Sequence, residues 1–296
     1  MRMSDVFTRL RERLTAGWSP LPDKPEETPE STLRALWYTA AGEARSAEAA
    51  RLGDLPPLDT AALATLDALI DRRLGGVPLA HLTGRQRFMD LEMLAAAGAL
   101  VPRKETELLG EAAIELAHEA DRGEATVVDV CTGCGNIALA VARHVPDARV
   151  FGADLSEEAI ALARRNAAWL GLEQRVDFRA GDLLAPFDDA EFVGRVDLLT
   201  CNPPYISSAK VGQMAAETAA HEPRLAFDGG PLGVTILMRL LQEAPRFLRA
   251  GGWLAFEVGL GQGPALVRRL KAAGAWSEVR EKADDKGAVR VILARR

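Results

Sequence analysis

Apolar residues change their spacing along this chain. From Met1 to about Arg87 they follow the three- and four-residue intervals of helices that bury one face. A polar, proline-rich stretch, Ser19 to Glu30, interrupts that pattern, and Ser31-Thr32 is expected to open a helix over Leu33 to Ala50. Asp59-Thr60 offers caps for a further helix over Ala61 to Leu74, which Gly75-Gly76 ends. Short apolar stretches alternate with polar residues from Gln86 to Ala99, as in a hairpin or linker, and a helix is expected over Thr106 to Ala120. From Thr126 onward the order is strand, helix, strand, helix, the sign of a parallel sheet covered on both faces. The expected strands are Thr126 to Val130, Arg149 to Ala153, Val176 to Ala180, Val196 to Cys201 and Gly252 to Val258. After a helix over Gly263 to Ala273 come two more, Ser277 to Lys282 and Ala288 to Ala294, joined by the turn Asp284-Asp285-Lys286-Gly287. The expected organisation is α/β: a helical domain over 1–85, a hairpin or linker over 86–105, and a sheet domain over 106–296.

Composition narrows the function classes. The chain has 296 residues, 48% hydrophobic and 26% charged, enough to bury a real core and more than one average domain needs. It contains no run of 18 apolar residues, and Met1 to Arg13 is charged, unlike a signal peptide, so a cytoplasmic location is expected. A net charge of -6 supplies no global attraction for phosphate backbones, which disfavours a nonspecific nucleic-acid binder. Three cysteines, an odd number, do not suggest a secreted disulfide framework.

Chemistry concentrates where the strands end. Val127-Val128-Asp129-Val130 runs into Cys131-Thr132-Gly133-Cys134-Gly135-Asn136, and a helix over Ile137 to Arg143 follows directly, so backbone can approach a ligand closely there. Asp154 ends the second strand, where a carboxylate can accept hydrogen bonds from both hydroxyls of a ribose. This is a nucleoside-binding arrangement, and Gly133-x-Gly135-x-x-Ala138 fits the NAD fingerprint as well. Asn202-Pro203-Pro204-Tyr205, at the end of the fourth strand, separates the two readings. The lone pair of an amide or exocyclic amine nitrogen is delocalised, so a protein that uses it as a nucleophile must orient it and draw on its N–H bonds. The Asn202 side-chain oxygen and the Pro203 carbonyl can each accept one N–H, and Tyr205 can pack on the planar group, so that rate comes from positioning and electrostatics.

With these motifs the chain resembles the HemK/PrmC-type protein-(glutamine-N5) methyltransferases. Pro78-Leu79-Ala80-His81-Leu82-Thr83-Gly84 with Phe88 resembles their domain junction, Pro102 to Glu107 their PRPETE segment, and Glu222-Pro223-Arg224-Leu225-Ala226-Phe227-Asp228-Gly229-Gly230 their EPRxAL-GG segment. The resemblance implies a Rossmann-like seven-stranded sheet that binds S-adenosylmethionine (SAM), released as S-adenosylhomocysteine. The implied acceptor is the glutamine of the Gly-Gly-Gln motif in peptide-chain release factors, recognised with help from the helical domain. It places Gly133 and Gly135 at the methionine moiety, with Asp129 and Thr132 in the same strand and loop. It places Asp154 with Leu155 at the ribose, Asp182 with Leu183 at the adenine edge, and Glu105 and Thr106 in the segment that roofs the cofactor. Asn202, Pro203, Pro204 and Tyr205 form the catalytic loop; Phe88, Asn202, Pro203 and Tyr205 meet the substrate, and Glu222 and Arg224 brace the loop. No metal, membrane or nucleic-acid partner is implied.

Three departures stand out. Cys131 replaces the usual glycine of the loop, so a β-carbon must fit where backbone normally lies; Cys134 stands where the family often has Ser or Ala, and Lys104 replaces the second proline of PRPETE. Cys131, Cys134 and Cys201 could cluster if the first and fourth strands are neighbours, although buried structural cysteines are the simpler reading. The competing functions are a specialised relative acting on another peptide or a small amide, a methyltransferase acting on the exocyclic amine of adenine in nucleic acid, and a SAM- or NAD-binding module without catalysis. The acidic balance argues against the adenine reading and the intact Asn202–Tyr205 loop against the last.

Overall fold

The computed structural model describes residues 3–19, 21–120, 124–214 and 216–296; Met1, Arg2 and Pro20, which fall in stretches interpreted above, lie outside them. The chain divides into two compact units. The first comprises Met1–Ala97, Val101–Lys104 and Ala215–Glu222, and the second Gly98–Leu100, Glu105–Met214 and Pro223–Arg296.

The first unit holds α1 (Met3–Ala16), α2 (Pro29–Ala40), α3 (Thr60–Leu74), α4 (Leu79–Thr83) and the antiparallel pair β1 (Arg85–Phe88) and β2 (Leu91–Leu94). Its core gathers Leu14, Leu33, Leu36, Trp37, Leu66 and Ile70, all at most 1% exposed. The helix expected over Leu33 to Ala50 begins earlier and ends sooner. Thr28 is its N-cap, in a reciprocal capping box with Ser31 and with Pro29 in the first turn, so Ser31 and Thr32 lie buried inside the helix. At the other end Gly42, with φ +83°, lets the Gly42 and Glu43 N–H groups bond back to the Thr39 and Tyr38 carbonyls, which closes the helix at Ala40.

The polar interruption between α1 and α2 is no solvated loop. Lys24 is 2% exposed and pairs with Glu217 at 3.1 Å, while Arg73 bridges Glu27 at 3.0 Å and Glu217 at 2.7 Å. Glu222 accepts from Arg103 at 2.6 Å and from the Val101 N–H at 2.9 Å. Burial raises the Glu27 carboxyl above its ordinary range against the attraction of Lys24 and Arg73. These buried pairs explain why residues near 217–222, distant in sequence, belong to the first unit, because unpaired charges cannot be buried.

In the second unit α5 (Glu107–His118) precedes β3 (Thr126–Val130), α6 (Asn136–His144), β4 (Arg149–Asp154), α7 (Glu157–Trp169), β5 (Val176–Ala180) and β6 (Val196–Cys201). The chain continues through α8 (Ser208–Val211), α9 (Ala216–His221, in the first unit), α10 (Thr235–Phe247), β7 (Leu248–Glu257), α11 (Gly263–Ala272), β8 (Glu278–Ala283) and β9 (Val289–Arg295). The seven strands form one sheet in the order β5-β4-β3-β6-β7-β9-β8, parallel except for β9, which runs antiparallel to both its neighbours. This is the Rossmann-like seven-stranded sheet that the resemblance implied. Alternation along the strands sorts its two faces. Val128, Val130, Leu199, Leu254, Phe256 and Ile292 share a core with the apolar sides of α10 and α11, whereas α5 and α6 contact the sheet from β5 across to β9. Helix α10, not foreseen as an element, runs through Pro245 in its last turn. Leu199→Ala, which empties a fully buried site at the centre of this sheet, is expected to cost about 2–5 kcal/mol, read as a lower thermal midpoint.

Candidate active site

The strand order reverses between β3 and β6, and register decides what meets there. Val130 is level with Ala153 on β4 and Cys201 on β6. The next residue on each strand is therefore Cys131, Asp154 and Asn202, so the loop, the acid and the start of the Asn-Pro-Pro-Tyr turn emerge together at the carboxyl ends of parallel strands. Open α/β sheets bind ligands at such a switch point.

The loop from β3 to α6 bends through left-handed residues: Cys131 at φ +55°, Gly133 at +56° and Gly135 at +85°. A β-carbon on Gly135 would come within 2.8 Å of Phe178 and 3.2 Å of Ala163, so glycine is required there for space as well as for φ. Nothing lies within 4 Å of a β-carbon built on Gly133, which leaves open space over the loop. Cys131 occupies a conformation that suits glycine, which is why its β-carbon is a strained substitution. Asp129 stands behind the loop. It is 1% exposed, and its two oxygens accept from Thr132 at 2.5 Å and Thr200 at 2.7 Å, tying the loop to β6. Burial pushes its carboxyl up to about 7 against those hydrogen bonds.

Asp154 accepts from the Gly133 N–H and the Ser156 N–H, both at 2.9 Å; burial raises its carboxyl, opposed by those donors and by the Leu155 N–H. Leu155 beside it is 57% exposed. Past β5, Leu183 sits at φ +47° and Asp182 is held by both terminal nitrogens of Arg239, at 3.2 and 2.9 Å.

On the other side, Asn202 donates through Nδ2 to Thr106 Oγ1 at 3.2 Å. Pro203 is buried, and Pro204 and Tyr205 are partly so. The turn is gripped through its backbone. Gln262 Nε2 donates to the Tyr205 carbonyl at 3.1 Å and to that of Gly233 at 3.2 Å. A β-carbon on Gly229 would lie 2.4 Å from the Pro204 oxygen, and one on Gly233 would lie 2.3 Å from that of Tyr205, so this segment must be glycine to lie against the turn. The Tyr205 hydroxyl donates to Glu257 Oε1 at 2.9 Å, and burial with the nearby Glu257 charge holds that phenol well above its ordinary range, hence protonated. Glu105 pairs with Arg290 at 3.0 Å. Phe88 belongs to the first unit and is fully buried on β1. Arg224 pairs with Asp228, which accepts from Ser208 at 2.6 Å.

Of the three thiols, Cys131 and Cys201 face one another, while Cys134 Sγ lies 3.8 Å from Asn136 Oδ1. Burial holds Cys201 well above the ordinary thiol range and pushes Cys134 up to about 12, which disfavours the thiolate needed for redox chemistry or metal ligation. Among the described residues no group of three or more His, Cys, Asp or Glu is placed to hold a metal ion. A cleft of about 820 Å³ bordered by Arg149, Val176 and Asp177 opens where β4 and β5 begin, at the opposite ends of those strands from Asp154. Motif reasoning missed Glu257, Arg290, Gln262 and Thr200. The available signal was a lone charge inside an apolar strand, as in Phe256-Glu257-Val258 and Val289-Arg290-Val291.

Comparison with known proteins agrees with this geometry. A family profile described as a methyltransferase domain matches residues 121–275. The release factor glutamine methyltransferase of Moorella thermoacetica is 41% identical over 77% of this chain and 78% of its own length. Proteins of the same name from Caulobacter vibrioides and Mycolicibacterium smegmatis are 34% and 35% identical, over 94% and 98% of this chain and 93% and 99% of theirs. Among solved structures, human methyltransferase 10 domain containing protein matches with a TM-score of 0.50 at 14% identity, covering 69% of this chain and 88% of that one, a likeness of fold alone.

Two outcomes are expected from the loop. Cys131→Val, which puts a branched side chain at a left-handed position, should destabilise by about 1–3 kcal/mol, whereas Cys131→Gly should stay within about 1 kcal/mol of the native chain in thermal unfolding. Asp129 and Glu257 both titrate at about 7 in the folded chain and near 4 when unfolded. Between those values the folded state binds more protons, so both contribute stability that is complete below about pH 4 and lost as pH rises through about 7. Asp129→Asn should remove one of the two contributions and flatten the fall in thermal midpoint over that window; an unchanged slope would show that Asp129 does not titrate there.

Proposed function

The chain belongs to the release factor glutamine methyltransferase family, and we propose that it transfers a methyl group from S-adenosylmethionine to the side-chain nitrogen of the glutamine in the Gly-Gly-Gln motif of peptide-chain release factors. The observation that carries this reading is the Asn202 amide. Its NH2 is turned to Thr106, so its Oδ1 is the atom left to accept a hydrogen bond from an incoming amide.

The residues at the switch point fit an adenosine-bearing cofactor. The space over Gly133 is open, the Asp154 carboxylate stands at the end of β4, and Leu155 offers exposed apolar surface beside it. In the proposed assignment the loop Cys131–Gly135 meets the methionine end, Asp154 and Leu155 the ribose, Asp182 and Leu183 the adenine edge, and Glu105 and Thr106 cover the site. Asp129 acts from behind by holding Thr132. When bound, SAM supplies an electrophilic methyl group on a sulfonium.

Asn202 Oδ1 and the Pro203 carbonyl accept the two N–H bonds of the glutamine amide, and the Tyr205 ring bounds the plane of that group. The nitrogen would take the methyl carbon as that carbon's bond to sulfur breaks with the bonding pair left on sulfur, and the proton it then sheds would leave along an N–H bond that Asn202 Oδ1 or the Pro203 carbonyl already holds and pass to water. No strong base is required, since rate comes from alignment in a site whose dipoles do not reorganise. The flanking glycines of the Gly-Gly-Gln motif let an extended loop reach a recessed site. This reading carries with it a cytoplasmic location and no membrane or nucleic-acid partner. No helix among the described residues is long and apolar enough to cross a membrane.

Methyl transfer from labelled SAM to purified release factor tests the proposal, with a Gln→Ala variant of the Gly-Gly-Gln motif as control. Label on the native factor alone is the expected result; labelling of both or neither would move the acceptor elsewhere. Asn202→Ala should lower kcat by about 100-fold or more with little change in SAM affinity. Asp154→Ala should instead weaken SAM binding by about 10-fold or more, read by calorimetry. The reverse pattern would exchange the two roles.

A further inference from the structure

Behind the Asn202–Tyr205 turn lies a buried carboxylate that the methyl transfer described above does not use. Glu257 closes β7 after a run of apolar residues and has no exposed surface. The Tyr205 hydroxyl donates to its Oε1, Arg290 on β9 stands 3.5 Å from the same oxygen, and the Thr106 hydroxyl faces the carboxylate. Its second oxygen, Oε2, is buried without a hydrogen-bond partner, and the Thr106 hydroxyl is the neighbouring group with a proton to offer it. Thr106 Oγ1 is also the acceptor for Asn202 Nδ2. Two side chains of the catalytic turn thus lead to one carboxylate, Tyr205 by a direct hydrogen bond and Asn202 by way of Thr106, whose hydroxyl stands beside it.

Hydrogen-bond polarity gives this arrangement a consequence. An ionised carboxylate can only accept, and a threonine hydroxyl has a single proton. With the Thr106 proton directed to Glu257, only lone pairs remain to face Asn202, and the Asn202 amide can satisfy them only with its NH2. Its carbonyl oxygen must then point the other way. A neutral group in place of the carboxylate could donate to Thr106, freeing the hydroxyl proton for Asn202 and allowing the amide to turn over, so that NH2 rather than oxygen would meet the substrate amide.

We propose that Glu257 is a positioning residue which, through the Thr106 hydroxyl, dictates that Asn202 presents its oxygen to the acceptor nitrogen, and through the Tyr205 hydroxyl holds the ring of the same turn. The inference rests on the methyl-transfer reading of that turn. Burial pushes the Glu257 carboxyl up to about 7, with Thr106, Arg290 and Tyr205 acting to lower it and Glu105 to raise it. The polarity-imposing ionised form therefore takes over as pH rises through neutrality.

The test compares the full-length native chain with Glu257→Gln, Thr106→Val, Thr106→Ser and the Glu257→Gln/Thr106→Val double variant. Three quantities are read between about pH 5.5 and 9: kcat for release-factor methylation, SAM affinity by calorimetry, and the side-chain amide resonances of isotope-labelled asparagine, with Asn202 assigned by its loss in Asn202→Ala. Glu257→Gln should lower kcat by about 10- to 100-fold while SAM affinity, the sign of an intact fold, changes by no more than about threefold. The native rise of kcat through about pH 7 should be absent in Glu257→Gln. Thr106→Val should cause a similar loss, the double variant should be little worse than either single one, and Thr106→Ser should recover most of it. The Asn202 amide resonances should shift near pH 7 in the native chain and not in Glu257→Gln.

Retention of native kcat and pH profile by Glu257→Gln would overturn the proposal, as would losses that multiply in the double variant or that appear wholly as weaker SAM binding. If the native chain labels no glutamine, the methyl-transfer reading is the one that fails. The amide resonances then decide the inference by themselves: the shift in the native chain, with its loss in Glu257→Gln, supports it, and native resonances unmoved by either pH or Glu257→Gln overturn it.

Discussion

The parallel register of β3 against β4 and β6 is the constraint on which the site depends. It makes Val130, Ala153 and Cys201 level, so that the three chains leave the sheet side by side and Cys131, Asp154 and Asn202 start their loops from one line. A shift of one residue on β6 would exchange the side chains that face its two helical layers and carry Asn202 away from the loop at once. The apolar positions of β6 therefore do two things. Leu199 and Cys201 hold the strand in register through burial, and that register delivers the amide.

Buried carboxylates then set the shape of the loops that leave the sheet. Asp129 holds Thr132 and Thr200, Asp154 holds the Gly133 N–H, and Glu257 holds Tyr205. Burial raises the proton affinity of all three, which is the energetic cost of keeping a charge away from water, and in each case donors from neighbouring loops offset part of it. In the proposed reading the result is a preorganised rim in which the groups that meet the acceptor amide, the Asn202 oxygen, the Pro203 carbonyl and the Tyr205 ring, are neutral and fixed in orientation. Such a site suits an acceptor nitrogen that must be aimed rather than deprotonated first.

The first unit applies the same logic to its own interior. Lys24 and Glu27, in the stretch that reads as a polar interruption between helices, form paired charges with Glu217 and Arg73, and Arg103 with Glu222 repeats the device. A polar stretch in sequence is ambiguous between solvated loop and buried ionic cluster. Its partners Arg73 and Glu217 are too distant in sequence to reveal which.

The sequence by itself determined the elements and the order in which they alternate. The strands over Thr126 to Val130 and Val196 to Cys201 stand at the residues expected, because a strand buried on both faces is mostly apolar along its length and its ends are marked by Gly, Pro and Asn. It also marked Gly133, Gly135, Asp154 and Asn202 through Tyr205 as chemistry-bearing, since positive φ, a nucleoside's hydroxyls and a planar nitrogen each demand particular residue types at particular spacings. Helix ends governed by a single cap, such as Thr28 and Gly42, were less legible because neighbouring residues compete for the same role. Only the tertiary structure decided what stands behind the turn. Thr106, Glu257 and Arg290 come from three separate stretches of chain, and a lone polar residue in an apolar segment acquires meaning only when its hydrogen-bond partners are brought to it, since hydrogen bonding acts over a few ångströms and has no periodicity along the chain for a sequence to display.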